Sequence, residues 1–248
     1  MDSDVATLCR SIAAELAAAG AQAVVLTGSH ARGTATAESD VDLVAIGEGP
    51  GYELRAASGR LVSVTWRTAA AQQDQFGRPR GAVLAVPAWR SAVIISDGAG
   101  VAADLQEQAR NWSWAELVSP PAEWVAAELT GWAEEVHKLA AALRRGRPRV
   151  AAVQRNLLAT QLAPVLAVHF RLLADSENDL WDLVAARSGE SWVSVQDRAL
   201  GLAGESLAGS CQAALDLYAA AVSLARDAFT EQQRQVVAGA VSLARRDA

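Results

Sequence analysis

Asp40 and Asp42 stand two residues apart at the head of an apolar run, Leu43-Val44-Ala45-Ile46. On a β-strand, residues two apart project from the same face, so this spacing aims two carboxylates at one spot. Such a pair repels itself unless a cation sits between the groups, and a hard divalent ion such as Mg²⁺ takes oxygen ligands of this kind. Upstream lies a second apolar run, Ala23-Val24-Val25-Leu26, followed by Gly28-Ser29 and one turn of helix-compatible residues. A Gly-Ser turn entering a helix offers unpaired backbone N–H groups and the positive end of a dipole, a seat for phosphate. A phosphate cradle beside paired carboxylates is equipment for phosphoryl or nucleotidyl transfer.

The surrounding elements have to hold these groups in place. Residues 4–19 read as an amphipathic helix, with Leu8, Ile12 and Leu16 four apart and Gly20 as its stop. The two apolar runs read as strands. Gly47-Glu48-Gly49-Pro50-Gly51 reads as a turn, and Arg60–Trp66 alternates as a third strand. Its inward positions fall at Ser63 or Thr65, neither of them acidic, and Glu53 lies on a loop or strand start upstream. Ala92-Val93-Ile94-Ile95 is a fourth short run, residues 99–110 are helical, and Trp112 and Trp114 are read as packing between domains.

From there the pattern is helical to the end. Trp124, Trp132, Val136, Leu139 and Leu143 space a helix over 121–145, and another covers 149–174. Ser176-Glu177-Asn178-Asp179 reads as a capping box opening a helix to about Arg187. Three more helices follow over 192–203, 205–229 and 230–247, the last opened by Thr230 with Gln233. The fold class is therefore α+β: a small mixed-sheet domain over 1–117, then an all-helical bundle over 118–248.

Composition narrows the partners. With 51% apolar residues in 248, a sizeable core can be buried. No apolar run is read as membrane-spanning, and the N-terminus lacks a basic-then-apolar leader pattern. Cys9 and Cys211 are read as buried free thiols in a cytoplasmic setting. A net charge of −6 with both signs interspersed argues against a broad nucleic-acid surface and fits a small, cationic partner.

Gly28, Ser29, Arg32, Gly33, Ser39, Asp40 and Asp42 together resemble the signature of the polymerase-beta-like nucleotidyltransferase superfamily. With the helical bundle behind it, the chain is similar to the kanamycin and lincosamide nucleotidyltransferases. These move a nucleoside monophosphate from a nucleoside triphosphate onto a drug hydroxyl. The resemblance implies Asp40 and Asp42 as catalytic metal ligands for one or two Mg²⁺ ions. It implies nucleotide contacts from Gly28, Ser29, Arg32, Ser39 and Lys138, with ATP as co-substrate. Glu134, four residues before Lys138 on one helix face, takes the part of the base, and Glu135 is the alternative. The acceptor is then a small hydroxylated molecule such as an aminoglycoside or lincosamide, and the resemblance allows a homodimer. One departure stands out: active members carry a third carboxylate where this chain has Ser63 or Thr65. A second reading follows, a nucleotide- or partner-binding module without turnover. Of the histidines, His30 sits in the phosphate turn, His137 beside Lys138, and His169 on a largely apolar helix as a core residue.

Overall fold

The computed structural model describes residues 2–117 and 119–246, which fall into two compact units. The first comprises Met1–Val118 and the excursion Leu173–Glu177; the second comprises Ser119–Leu172 and Asn178–Ala248. The return of 173–177 to the first unit has no signature in the sequence. Ala174 donates its N–H to the Val83 carbonyl at 2.9 Å, and Leu173 packs on the first unit's core.

The first unit is a five-stranded sheet between helices. Its elements begin with α1 (Ser3–Ala18), β1 (Ala23–Thr27), the single turn α2 (Gly28–Arg32) and β2 (Val41–Ile46). They continue through β3 (Tyr52–Ala57), β4 (Arg60–Arg67), α3 (Ala69–Gly77), α4 (Pro79–Arg90), β5 (Val93–Asp97) and α5 (Val101–Asn111). The strand order is β3-β4-β2-β1-β5; β2 and β4 run parallel and the other pairs antiparallel. Alternation sorts the side chains. Leu26, Val41, Leu43, Ala45, Val62 and Val64 pack against Val5, Cys9, Ile12 and Leu16 of α1. Val25, Val44 and Ile46 pack on the opposite side, among Phe76, Val86, Trp89 and Leu105 from α3, α4 and α5. Asp42 shares the face of Val44 and Ile46 by the period of two.

Two parts of this unit depart from the sequence reading. The segment 67–91, for which the pattern predicts no element, forms α3 and α4; Thr68 caps α3 by accepting from the Ala71 N–H at 3.1 Å. Strand β3 is also absent from that reading. Its pattern is inverted for an edge strand: Tyr52 and Leu54 are exposed, while Glu53 and Arg55 point to the α1 side and pair at 2.7 Å. Glu53 also accepts from Trp66 Nε1 at 3.0 Å, and Arg55 reaches Glu15 of α1 at 3.3 Å. The turn to β4 is made by Ser58 and Gly59, both at positive φ, the geometry of a two-residue hairpin. Trp112 is a core residue of the first unit, donating from Nε1 to the Phe76 carbonyl at 2.9 Å with Trp114 edge-on to it.

The second unit is a bundle of α6 (Pro121–Arg144), α7 (Pro148–His169), α8 (Leu180–Ser188), α9 (Glu190–Leu200), α10 (Leu207–Leu224) and α11 (Glu231–Arg246). Leu129, Val136, Leu139, Leu158, Leu162, Trp192, Leu215 and Tyr218 are buried within it. The Tyr218 hydroxyl ties α10 to α6 by donating to the Leu129 carbonyl at 2.9 Å. Thr230 and Gln233 form the expected capping box of α11, with Thr230 N–H donating to Gln233 Oε1 at 2.9 Å. As expected, a helix opens at Glu177 and runs to Ser188; its first turn, Glu177–Asp179, is 3₁₀, and the Asp179 side chain does not cap α8. Helix α7 stops at His169 rather than 174, and Arg171 beyond it takes a positive φ. Helix α10 corrects another expectation: its 18 residues, mean hydropathy 1.2, have the length and composition of a membrane span. Cys211, Leu215, Leu217 and Tyr218 of this helix are instead buried in the bundle. Cys9 and Cys211 are both free and buried.

Candidate functional site

The site of the first unit begins where β1 hands over to α2. Thr27 pairs with Asp42 on the neighbouring strand, and Asp42 pairs in turn with Ser63 of β4. Three adjacent strands therefore bring Thr27, Asp42 and Ser63 into one row on one face. The Ser63 hydroxyl, itself buried, donates to Asp42 Oδ1 at 2.7 Å. Thr27 Oγ1 donates to the Asp42 backbone carbonyl at 3.4 Å.

Gly28 is held to glycine twice over. Its φ of +68° lies in the left-handed region, and a Cβ there would overlap Asp42 Oδ2. The bare backbone of the Gly-Ser turn is thus the seat of the Asp42 carboxylate. Helix α2 has five residues, so its contribution to a phosphate site is its free N–H groups rather than a developed dipole.

Asp40 lies one residue ahead of β2, in the loop rather than on the strand, and is half-buried. It remains close enough to act on Asp42. Burial pushes the half-buried Asp42 carboxyl above its usual range; the Ser63 hydrogen bond opposes the rise, Asp40 adds to it, and His30 and Arg32 oppose it. Asp40, Arg32 and His30 are therefore electrostatic neighbours of Asp42. Ser39 holds the loop that delivers Asp40, its Oγ accepting from the Thr36 N–H at 2.9 Å. Ser29 anchors the other end of that loop through its carbonyl, which accepts from Thr34 N–H at 3.0 Å. His30 is 7% exposed and its Nε2 has no hydrogen-bond partner. It also lines a cleft of about 350 Å³ with Asp2, Gly33, Ala35, Thr36, Ala37 and Arg60.

The donor set at Asp40 and Asp42 suits a hard cation. Both ligands are carboxylates, Ser63 adds a hydroxyl oxygen, and nothing soft is present. No salt bridge to Asp42 occurs among the described residues; Arg32 and His30 offset its charge without pairing to it. No group of three His, Cys, Asp or Glu residues suited to a metal comes together among the described residues. Glu53 does not supply the missing third acid, because it faces α1 and is held by Arg55 and Trp66.

The remaining expected residues form a cluster on α6 in the second unit. Lys138 Nζ lies 2.9 Å from Glu134 Oε1 and 2.9 Å from Glu135 Oε1. Glu134 is 71% exposed and Glu135 is 18% exposed. These two carboxylates raise the Lys138 ammonium above its ordinary value, Glu134 foremost. Glu135 Oε2 is buried without a partner. His137 is exposed, and His169 is half-buried, edge-on to Phe170, with its pKa lowered by burial and by Arg187.

Sequence reasoning missed one functional feature, the steric seat that Gly28 provides for Asp42. The signal was present in the glycine itself, but the partner atom depends on the β1–β2 register.

Comparison with known proteins bears on the same segment. Residues 9–83 match the family model described as a nucleotidyltransferase domain. A solved structure of a nucleotidyltransferase-like protein from Exiguobacterium sibiricum 255-15 superposes with a TM-score of 0.52 at 17% identity. That superposition covers 90% of this chain and 75% of the other. Among curated proteins, no relative matches the chain. The matched segment contains most of α1, the Gly28 turn, both aspartates and Ser63, and over that segment the first unit is similar to a nucleotidyltransferase domain.

Proposed function

We propose that this chain transfers a nucleoside monophosphate, AMP from ATP, to a hydroxyl of a small molecule of the aminoglycoside or lincosamide kind. The observation that carries the reading is the Asp42 carboxylate, seated on the Gly28 backbone, held by Ser63 and neighboured by Asp40. The likeness of residues 9–83 to a nucleotidyltransferase domain supports nucleotidyl transfer in general.

In this reading the N–H groups at Gly28 and Ser29 receive triphosphate oxygens, and Arg32 adds positive charge beside them. Asp40 and Asp42 hold a divalent cation, Mg²⁺ by the hardness of the oxygens. Such an ion, when bound, neutralises phosphate charge and polarises the P–O bonds. Ser39 keeps the loop closed so that Asp40 stays beside Asp42. By the resemblance, Glu134 takes the proton of the acceptor hydroxyl and Lys138 offers its charge to phosphate. The acceptor oxygen bonds to the α-phosphorus as the bond to pyrophosphate breaks, and the proton rests on Glu134. The net negative charge of the chain suits a cationic acceptor.

Titration calorimetry with the α,β-methylene analogue of ATP tests the first half. Binding that requires Mg²⁺ and is lost in Asp40→Asn/Asp42→Asn is expected; binding indifferent to both changes overturns the assignment. Mass spectrometry of a hydroxylated antibiotic panel incubated with ATP then tests transfer. The absence of an acid at Ser63 favours a second reading, a nucleotide-binding module, and cation-dependent binding without any transferred product would select it.

A further inference from the structure

The row Thr27–Asp42–Ser63 has consequences for how much positive charge the site can hold. Ser63 stands beside Asp42 in the β2–β4 register, and its neighbours on the same face are Leu61 and Thr65 of β4 and Leu54 of β3. None of these is acidic, and Leu54 and Leu61 are exposed at 56% and 47%. The nearest acid on β3, Glu53, is turned to the other side of the sheet and held by Arg55 and Trp66. No carboxylate of β3 or β4 can therefore join Asp40 and Asp42 without rebuilding the strand.

On the nucleotidyltransferase reading, we infer that the site takes a single divalent cation, with Ser63 as a positioning residue, rather than an ion pair. Two carboxylates carry two negative charges, which balance one dication. A second dication roughly 4 Å away would repel the first strongly, and two-ion sites offset that repulsion with bridging anionic ligands. Here the bridging carboxylate from the protein would have to be Asp42 alone, beside whatever oxygens the nucleotide phosphates supply. Its Oδ1 already accepts a hydrogen bond from the Ser63 hydroxyl, and its Oδ2 lies against the Gly28 backbone. Ser63 thereby fixes the carboxylate rotamer and uses one of its acceptor positions, where an acid would instead have added a ligand and a charge.

The test uses the full-length chain with Mn²⁺ and the α,β-methylene analogue of ATP. Equilibrium dialysis counts the Mn²⁺ retained with the nucleotide-loaded chain, and electron paramagnetic resonance reports whether two spins couple. One magnetically isolated Mn²⁺ per chain is expected. Ser63→Asp should raise the count to two and broaden the spectrum by spin coupling, while Ser63→Ala should keep it at one. A coupled pair in the unmodified chain overturns the inference, as does a folded Ser63→Asp chain that still holds one. The count in the unmodified chain decides the matter by itself if Ser63→Asp does not fold. Retention of no Mn²⁺ at all in the presence of nucleotide overturns the nucleotidyltransferase reading itself, a result distinct from a count of two.

Discussion

Two clusters of charge, one in each unit, are built from similar parts and behave differently. Around Asp42, the Asp40 carboxylate is close enough to raise its pKa, no lysine or arginine pairs with Asp42 among the described residues, and the neighbours Thr27 and Ser63 are buried. Around Lys138, two carboxylates share one ammonium at 2.9 Å each, Glu134 in solvent and Glu135 mostly covered. The first cluster depends on the register of three strands and on a glycine that cannot carry a side chain. The second depends on helical spacing of three and four residues, which many sequences satisfy. A carboxylate pair that the fold leaves unbalanced is destabilising unless a ligand completes it. That imbalance, rather than the mere presence of acids, distinguishes a site from a solvated helix face.

The contrast can be broken most severely at Gly28. Gly28→Ala places a Cβ on Asp42 Oδ2 and forces a positive φ on alanine. We expect cation-dependent nucleotide affinity to fall at least ~100-fold in calorimetry, with a loss of about 1–3 kcal/mol in chemical denaturation. Asp42→Asn should remove cation-dependent binding as well, yet shift stability the other way. The folded Asp42 carboxyl titrates above its ordinary 3.8, chiefly through burial. Because the folded chain binds that proton more tightly than the unfolded chain, this group's contribution is most favourable below 3.8 and is lost as pH rises through the folded value. Asp42→Asn should therefore melt a few degrees higher than the unmodified chain at pH 7, with the gap closing towards pH 4 in paired melting curves.

Ser63→Ala sharpens the comparison at smaller cost. It deletes a hydrogen bond to a carboxylate, about 1.5–3 kcal/mol in comparable cases, and the Asp42 carboxyl should titrate higher still when followed by carbon-13 NMR. The smallest effect belongs to the exposed cluster. Lys138→Ala should leave the midpoint of chemical denaturation essentially unchanged, since solvent-exposed pairs contribute little. A marked loss would mean that the two clusters are not so different after all.

Much of this was legible in the chain before its structure. The Gly28-Ser29 turn, the Asp40/Asp42 spacing and the alternation of Arg60–Trp66 follow from local periodicity, and so do the bundle helices and the Thr230–Gln233 box. Strand β3 escaped because its buried-side residues are Glu53 and Arg55, which are tolerable there only as partners of each other, Glu15 and Trp66. Segment 67–91 escaped because α3 is only weakly amphipathic and α4, though amphipathic, carries Pro79 and Pro87, which read as breaks in a helix. The hydrogen bond from Ser63 to Asp42 was beyond reach for another reason: a parallel pairing between β2 and β4 has no local signature, and a shift of one residue would turn Ser63 to the other face. Helix α10 has the length and composition of a membrane span although no such span is read from the sequence, because small apolar residues that fill a helical core pass the same test.

The segment Leu173–Glu177 has a consequence for the order in which the protein is made. Ala174 is fully buried, and its N–H satisfies the Val83 carbonyl at the 2.9 Å bond already described. On the ribosome the sheet, both aspartates and Ser63 emerge early, but the first unit stays unfinished until α6 and α7 have been synthesised and the 173–177 segment has followed them. Completion of the aspartate-bearing half thus waits on translation of much of the other half, and a chain released after residue 118 ends with an unfilled place beside Val83.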